Sequence, residues 1–258
     1  GKVSFIATPA EEYCDFDYRN KLVEDNIDVK YVFEDRIEPT GMALIMVNDN
    51  GNNSIIVNAG SNMTLTKDEI HSAENLIKES DIIISQFETP EDITIEAFKI
   101  AKENGKVTIL NPAPAKKIKD ELLNYTDIIV PNETEAELLT GIEIKDIEDA
   151  KKAGEIFLDK GVKFIIITLG EKGAALIGKD FCEIVPAYRV NAIDTTAAGD
   201  SFIGGLSSKL DTKNLGRETL SSSIRFGNKV SSIAVQRKGA QPSIPYLKEV
   251  LEVYKGEE

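Results

Sequence analysis

Residues 107–140 read VTILNPAPAKKIKDELLNYTDIIVPNETEAELLT, from Val107 to Thr140, and this stretch decides the fold. Val107 to Leu110 is a short run rich in β-branched residues, too short for a buried helix and so a strand covered on both faces. A Pro- and Ala-rich turn follows, then a helical stretch over Lys116 to Asn124. Asp127 to Val130 is a second apolar strand, and Glu133 to Leu139 a second helix. Short apolar strands alternating with helices predict a parallel sheet with helices on both faces.

The same rhythm runs outward from this stretch. Upstream, Thr66 and Glu69 have capping-box spacing for a helix through about Ser80, Ile82 to Ser85 is a strand, and a helix starts near Pro90. Downstream come a helix over Ile147 to Lys160 and a strand over Phe164 to Leu169. Ala174 to Ile177 and Phe181 to Val185 form an antiparallel pair joined at Gly178-Lys179-Asp180. Helices follow over Ala197 to Leu210, Gly216 to Val235 and Ile244 to Tyr254. The first 60 residues read differently. A buried strand over Val3 to Ala7 and a helix over Glu11 to Asn26 precede three β runs, Val29 to Phe33, Gly41 to Asn48 and Ser54 to Ala59. Asp49-Asn50-Gly51-Asn52 between the last two is a hairpin turn signal. The prediction is one α/β domain over residues 1–258, with a parallel-dominated sheet flanked by helices on both faces and a small β appendage at about 29–59. No internal repeat or low-complexity linker is present.

Composition narrows the function. The 258 residues carry a formal net charge of −14 and are 41% hydrophobic, ordinary for a globular protein. Such acidity argues against nucleic acid as a partner, because phosphate backbones need basic patches. It favours solubility and does not forbid a nucleotide, whose site needs only local donors and a cation. No apolar run is long enough for a membrane span, and no secretory signal opens the sequence. Cys14 and Cys182 form no metal or CxxC spacing and read as structural thiols of a reduced, cytoplasmic setting. The lone histidine, His71, falls in a polar helical run and reads as a surface residue.

The polar motifs gather at one end of the predicted sheet. Ser85-Gln86-Phe87-Glu88, Asn111, Asn132 and Thr168-Leu169-Gly170 each follow a strand, the end at which open α/β sheets bind ligands. Asp194-Thr195-Thr196-Ala197-Ala198-Gly199-Asp200-Ser201-Phe202 adds a small-residue turn leading into a helix, with an acid at the join. The N–H groups of a helix start can hold a phosphoryl group while the carboxylate of Asp200 takes a proton from a hydroxyl. That is phosphotransferase equipment.

This run resembles the Asp-Thr-x-(Gly/Ala)-Ala-Gly-Asp signature of the ribokinase-like (PfkB) carbohydrate kinases. Further motifs agree in order: Asn111-Pro112-Ala113-Pro114-Ala115, the Asn-x-x-Glu of Asn132 to Glu135, the loop Thr168-Leu169-Gly170-Glu171-Lys172-Gly173, and Arg237-Lys238-Gly239-Ala240-Gln241-Pro242-Ser243. The last is similar to the C-terminal loop of the ribose kinases of the family. The resemblance implies an ATP-dependent sugar kinase acting on the O5 hydroxyl of ribose, with a fructokinase-like or nucleoside-kinase-like specificity as the alternative. It implies Asp200 as general base and sugar contact, and Ala198, Gly199 and Asp200 as the anion hole. It further implies that Asn132 and Glu135 support Mg²⁺ and the phosphates, that Thr168, Gly170, Gly173 and Asn228 hold ATP, and that Glu88 accepts from sugar hydroxyls. Asp194, Thr196, Ala234, Arg237, Gly239 and Ser243 match a pocket for K⁺, mostly through backbone carbonyls. Residues 29–59 resemble part of the family's sugar-covering lid, through which a homodimer could form.

One departure stands out. The family's Gly-Gly-x-x-x-Asn sugar grip is not among these residues, and Ala7-Thr8-Pro9-Ala10 replaces a Gly-Asp pair. Either the protein lacks that segment or the sequence is part of a longer one, and on this reading the lid is incomplete. The competing interpretation is a non-catalytic nucleotide-binding protein derived from such a kinase. A second phosphate motif is only apparent. Gly173 to Asp180 nearly fits a P-loop, but Asp180 stands where Ser or Thr should meet Mg²⁺, and the run lies in a predicted hairpin.

Overall fold

The computed structural model describes residues 1–10, 18–47 and 53–256. Cys14, the first part of the expected helix over Glu11 to Asn26, and the Asp49–Asn52 turn lie outside the described residues.

Six strands form the central sheet: β5 (Ile82–Ser85), β6 (Val107–Leu110), β7 (Ile128–Ile129), β8 (Phe164–Thr168), β9 (Ala174–Gly178) and β10 (Phe181–Val185). Their spatial order is β10-β9-β8-β7-β6-β5. β5 to β8 are parallel, and β9 and β10 close one side as an antiparallel hairpin with Phe181 opposite Gly178. The apparent P-loop is thus a hairpin that leads into no helix.

Period-two alternation divides each strand between two cores. Leu110, Ile129, Ile165, Ile167, Ala175 and Ile177 face one cluster. That side is built by α4 (Glu91–Glu103), α5 (Asp120–Asn124), α6 (Glu133–Thr140) and α7 (Ile147–Asp159). Val107, Ile109, Ile128, Ile166, Ala174 and Leu176 face the other, against Phe202, Ile203 and Leu206 of α8 (Ala198–Lys209) and Leu220 and Ile224 of α9 (Arg217–Ala234). The predicted parallel-dominated sheet with helices on both faces is the observed fold.

Three expectations need correction. The helix expected over Thr66 to Ser80 is two helices, α2 (Lys67–Ser72) and α3 (Glu74–Glu79), broken at Ala73 (φ −92°, ψ 6°). Ala73 is fully buried, as is Ile77, and the break lets both segments pack on α4 around Ile70, Ile77 and Ile100. The helix expected from Lys116 begins only at Asp120, because Lys119 donates its N–H to Glu91 Oε1 (2.8 Å) in extended conformation. β1 (Ser4–Ala7) is not a core strand. It pairs in parallel with β2 (Asp28–Val32) in a separate two-stranded sheet, leaving Val3 and Phe5 about half exposed. Only Ile6 of that strand packs against the α2–α4 cluster.

The remaining elements are α1 (Tyr18–Glu24), the hairpin of β3 (Met42–Val47) and β4 (Asn53–Asn58), and the C-terminal α10 (Leu247–Val253). β3 and β4 form their own two-stranded sheet, with Leu44 opposite Ile56. Met42, Leu44 and Ile56 share one face by register, and all three are more than half exposed.

Candidate active site

The carboxyl ends of β5, β6, β7 and β8 lie side by side, so the loops carrying Glu88, Asn111, Asn132 and Thr168 are neighbours in that order. Asn111 donates its N–H to Ser85 O (2.9 Å), and Thr168 donates to Pro131 O (2.9 Å). An isolated parallel bridge places Asn132 beside Thr168.

At the start of α8 the chain turns through Ala197 in the left-handed region (φ 59°), with no side-chain cap. A side chain there costs more than glycine would. The turn leaves the helix end uncapped and outward-facing. Ala198 N–H is used by Thr195 O (3.1 Å), so its expected place in an anion hole is taken by a turn bond. The N–H groups of Gly199 and Asp200 have no partner among the described residues. The Asp200 carboxylate is exposed and likewise makes no hydrogen bond or ion pair there. Two free N–H donors and a free carboxylate therefore stand in one turn of helix, where negative charge is favoured.

Asn132 and Glu135 are locked together. Asn132 Oδ1 accepts from Glu135 N (2.8 Å), and Glu135 Oε2 accepts from Asn132 N (2.8 Å), a capping box at the start of α6. Burial pushes the Glu135 carboxyl up, only partly offset by the Asn132 N–H. A cation beside its uncommitted oxygen would hold it ionised.

The nucleotide candidates converge from separate elements. Gly170 (φ 55°) and Gly173 (φ 105°) bend the loop after β8, and Leu169 N–H bonds Gly173 O (2.8 Å). A Cβ on Gly173 would lie 2.1 Å from Val185 O and 2.6 Å from Ala187 N. Asn228, of a residue type usual on helix surfaces, is buried. Its Nδ2 donates to Val185 O (3.3 Å) and Pro186 O (3.0 Å). Residues 185–187 are thus a shared wall of this region. They carried no motif in the sequence, and only their contacts reveal them.

The residues expected to hold a monovalent cation also meet. Asp194 Oδ1 accepts from Thr196 N (2.9 Å) and Thr196 Oγ1 (2.6 Å), and Oδ2 accepts from Gly239 N (2.9 Å). These donors hold its carboxyl at about 2, the Thr196 hydroxyl contributing most. Ala234 is buried and its carbonyl takes Arg237 N–H (3.0 Å). The Arg237 guanidinium instead pairs with Glu249 (2.8 Å), so that side chain is structural. Ser243 is fully buried, with its hydroxyl donated to Ala240 O (2.7 Å).

Glu88 is exposed, and its N–H is taken by the Gln86 side chain. Cys182 is half-buried and its thiol is pushed up, chiefly by burial, so it is not poised as a nucleophile. Among the described residues no cluster of three or more His, Cys, Asp or Glu could hold a metal by itself, and no helix is long and apolar enough to cross a membrane.

Fold and site together define a phosphotransferase of the ribokinase-like class. The solved ribokinase of Arabidopsis thaliana, complexed with ribose and ATP, superposes with a TM-score of 0.85 at 30% identity, covering 98% of this chain and 82% of that one. The ribokinase of Staphylococcus aureus is 47% identical over 228 residues, 88% of this chain and 74% of the relative. That of Haemophilus influenzae is 42% identical over 251 residues, 97% and 81% of the two chains. Residues 15–247 match the pfkB family carbohydrate kinase. The chain belongs to the pfkB family of carbohydrate kinases.

Proposed function

We propose that this protein transfers the γ-phosphoryl group of ATP to the O5 hydroxyl of D-ribose, giving ribose 5-phosphate and ADP. The observation that carries the mechanism is the free Asp200 carboxylate one residue from the free Gly199 N–H. Asp200 accepts the O5 proton as the O5–P bond forms and the bond to the ADP oxygen breaks. Gly199 and Asp200 N–H groups meet the negative charge on the transferred phosphoryl, and Ala198 adds a third donor only if its turn bond to Thr195 opens. Glu88, whose side chain has no partner among the described residues, accepts hydrogen bonds from the sugar hydroxyls. Thr168, Gly170, Gly173 and Asn228 build the ATP site, the last two through the 185–187 wall.

Two cations fit residues present here. Asn132 and Glu135 would hold Mg²⁺ with the phosphates, directly or through water, and the ion would neutralise phosphate charge. The ionised Asp194, with Thr196, Ser243 and the carbonyls of Ala234, Arg237 and Gly239, is an all-oxygen set suited to K⁺, which would favour the geometry of the neighbouring α8 turn. Residues 29–59 act as a lid within a single domain. The exposed Met42, Leu44 and Ile56 face supports a homodimer through the lid. The free thiol of Cys182 fits a cytoplasmic enzyme.

The test is ADP release from MgATP with ribose, fructose or nucleosides, with and without K⁺. Ribose-dependent release that K⁺ raises and Asp200→Asn abolishes is the expected result. Full activity in Asp200→Asn would remove Asp200 as the base. ATP binding without turnover on any sugar would favour a nucleotide-binding protein instead.

A further inference from the structure

Glu88 sits at the edge of the sheet, where a loop has only one neighbouring strand to hold it. The structure shows how the loop is held. Phe87 is 3% exposed and packs in the same core cluster as Ile95, Phe98 and Ile118. Its N–H donates to Ala113 O (2.9 Å), so the loop after β5 is stitched to the loop after β6. On its other side, Lys116 Nζ donates to Phe87 O (3.2 Å) and lies 4.8 Å from the centre of the Phe87 ring. The Phe87 carbonyl belongs to the peptide that joins Phe87 to Glu88. Lys116 is thus the side chain that fixes the plane from which Glu88 projects.

Three further facts make this more than a surface lysine. Residues 116–119 form no helix, and the extended Lys119 donates its N–H to Glu91 Oε1 (2.8 Å), which ties the segment to the start of α4 just beyond the Glu88 loop. The Glu88 N–H is also occupied, by the Gln86 side chain, so its backbone is bonded on both flanks. Lys116 forms no ion pair with Glu88 among the described residues, which leaves the carboxylate unspent.

We propose that Lys116 is a positioning residue for the sugar: it holds the Phe87–Glu88 peptide so that the Glu88 carboxylate meets the sugar hydroxyls. The inference rests on the reading of Glu88 as a sugar ligand. Losing the bond lets the peptide turn toward water, and the carboxylate samples orientations in which it misses the sugar. A side chain that orients a binding group acts on ground-state and transition-state binding alike, so the effect falls on KM for the sugar rather than on kcat.

The experiment uses the full-length protein and three variants, Lys116→Met, Lys116→Arg and Glu88→Gln, with the Lys116→Met/Glu88→Gln double variant. Methionine keeps an apolar stem over the Phe87 ring and loses the donor, whereas arginine keeps donor and charge. Lys116→Met should raise the sugar KM about three- to tenfold, the range of one ordinary hydrogen bond, with KM for MgATP unmoved. Lys116→Arg should restore most of it. Because Lys116 works through Glu88, the double variant should be no worse in sugar KM than Glu88→Gln alone.

If Glu88→Gln raises the sugar KM and Lys116→Met does not, the inference about Lys116 fails while the Glu88 reading stands. If Glu88→Gln has no effect, both fall. Effects of the two substitutions that multiply would give Lys116 a separate route and overturn the proposal. So would a rise in KM for MgATP, which would make Lys116 a phosphate contact, or a lowered Tm with sugar KM unchanged, which would make it purely structural.

Discussion

Asn228 and Gly173 bear on the same stretch of backbone. The Asn228 amide donates to Val185 O (3.3 Å) and Pro186 O (3.0 Å), and Gly173 lies so near that a Cβ would meet Val185 O at 2.1 Å. Gly173 also has φ 105°, where side chains are strained. Gly173→Ala must therefore push the 185–187 segment outward as well as bear that strain. We expect a KM for MgATP raised at least tenfold with a smaller change for the sugar, and a stability loss of about 1–3 kcal/mol. Separate substrate titrations and a denaturation curve check both.

Asp200 has no side-chain partner to lose among the described residues. Asp200→Asn should lower kcat by about 10²–10⁴, leave KM for MgATP nearly unchanged, and leave Tm within a degree or so of the parent, since exposed substitutions away from contacts are close to neutral. Steady-state kinetics beside a thermal melt read the two effects independently. A large fall in Tm would assign Asp200 a structural role instead.

Among the described residues Asp127 is the buried carboxylate. Its side chain is 3% exposed and binds Lys102 (2.5 Å), Lys163 (3.0 Å) and the N–H of Thr108 (3.1 Å). Burial alone would push its carboxyl up, but the two lysines and the Thr108 N–H together bring it below the usual range. Asp127→Ala leaves the buried Thr108 N–H without its acceptor, while Lys102 and Lys163 can turn to water. A loss of about 2–4 kcal/mol is expected, roughly 5–15 °C in Tm for a domain of this size. ATP and sugar KM should hold, because Asp127 precedes β7 at the end of the sheet away from the site loops.

The Asp194 carboxyl, held at about 2, ties Thr196 to Gly239. A folded-state pKa below the unfolded value means a contribution that is complete above about pH 4. It is lost as the pH falls toward 2. The stability gap between the parent and Asp194→Asn should therefore be widest near neutrality and close between pH 4 and pH 2. Urea midpoints at pH 7, 4 and 2.5 check the trend. A gap independent of pH would show that the carboxylate charge is not what stabilises this turn.

Much of the architecture was legible from residue patterns. β5, β6 and β10 fall where the apolar runs predict them, and the Thr66–Glu69 spacing is a capping box in the structure. The Asn132–Glu135 pair is also a capping box, so the same spacing serves a helix start and a proposed Mg²⁺ site. What misled was local pattern where a tertiary contact overrode it. The polar periodicity of 66–80 gives no hint that Ala73 is buried and breaks the helix. The helix-forming residues 116–119 stay outside the helix where Lys119, itself extended, is claimed by Glu91 on another element.

The sequence by itself determined the alternation of strands and helices, the loops that follow the strands, and the acid at the start of α8. These depend on neighbours within a turn of helix or a few residues of strand, so the chain encodes them locally. Only the tertiary structure decided that Ala198 spends its N–H on Thr195, that Asn228 turns inward to Val185 and Pro186, that Asp194 reaches Gly239, and that Lys116 holds the carbonyl ahead of Glu88. Most of those partners are far apart along the chain. Their meeting depends on how the packed helices and the sheet bring loops together, which no local pattern of residues specifies.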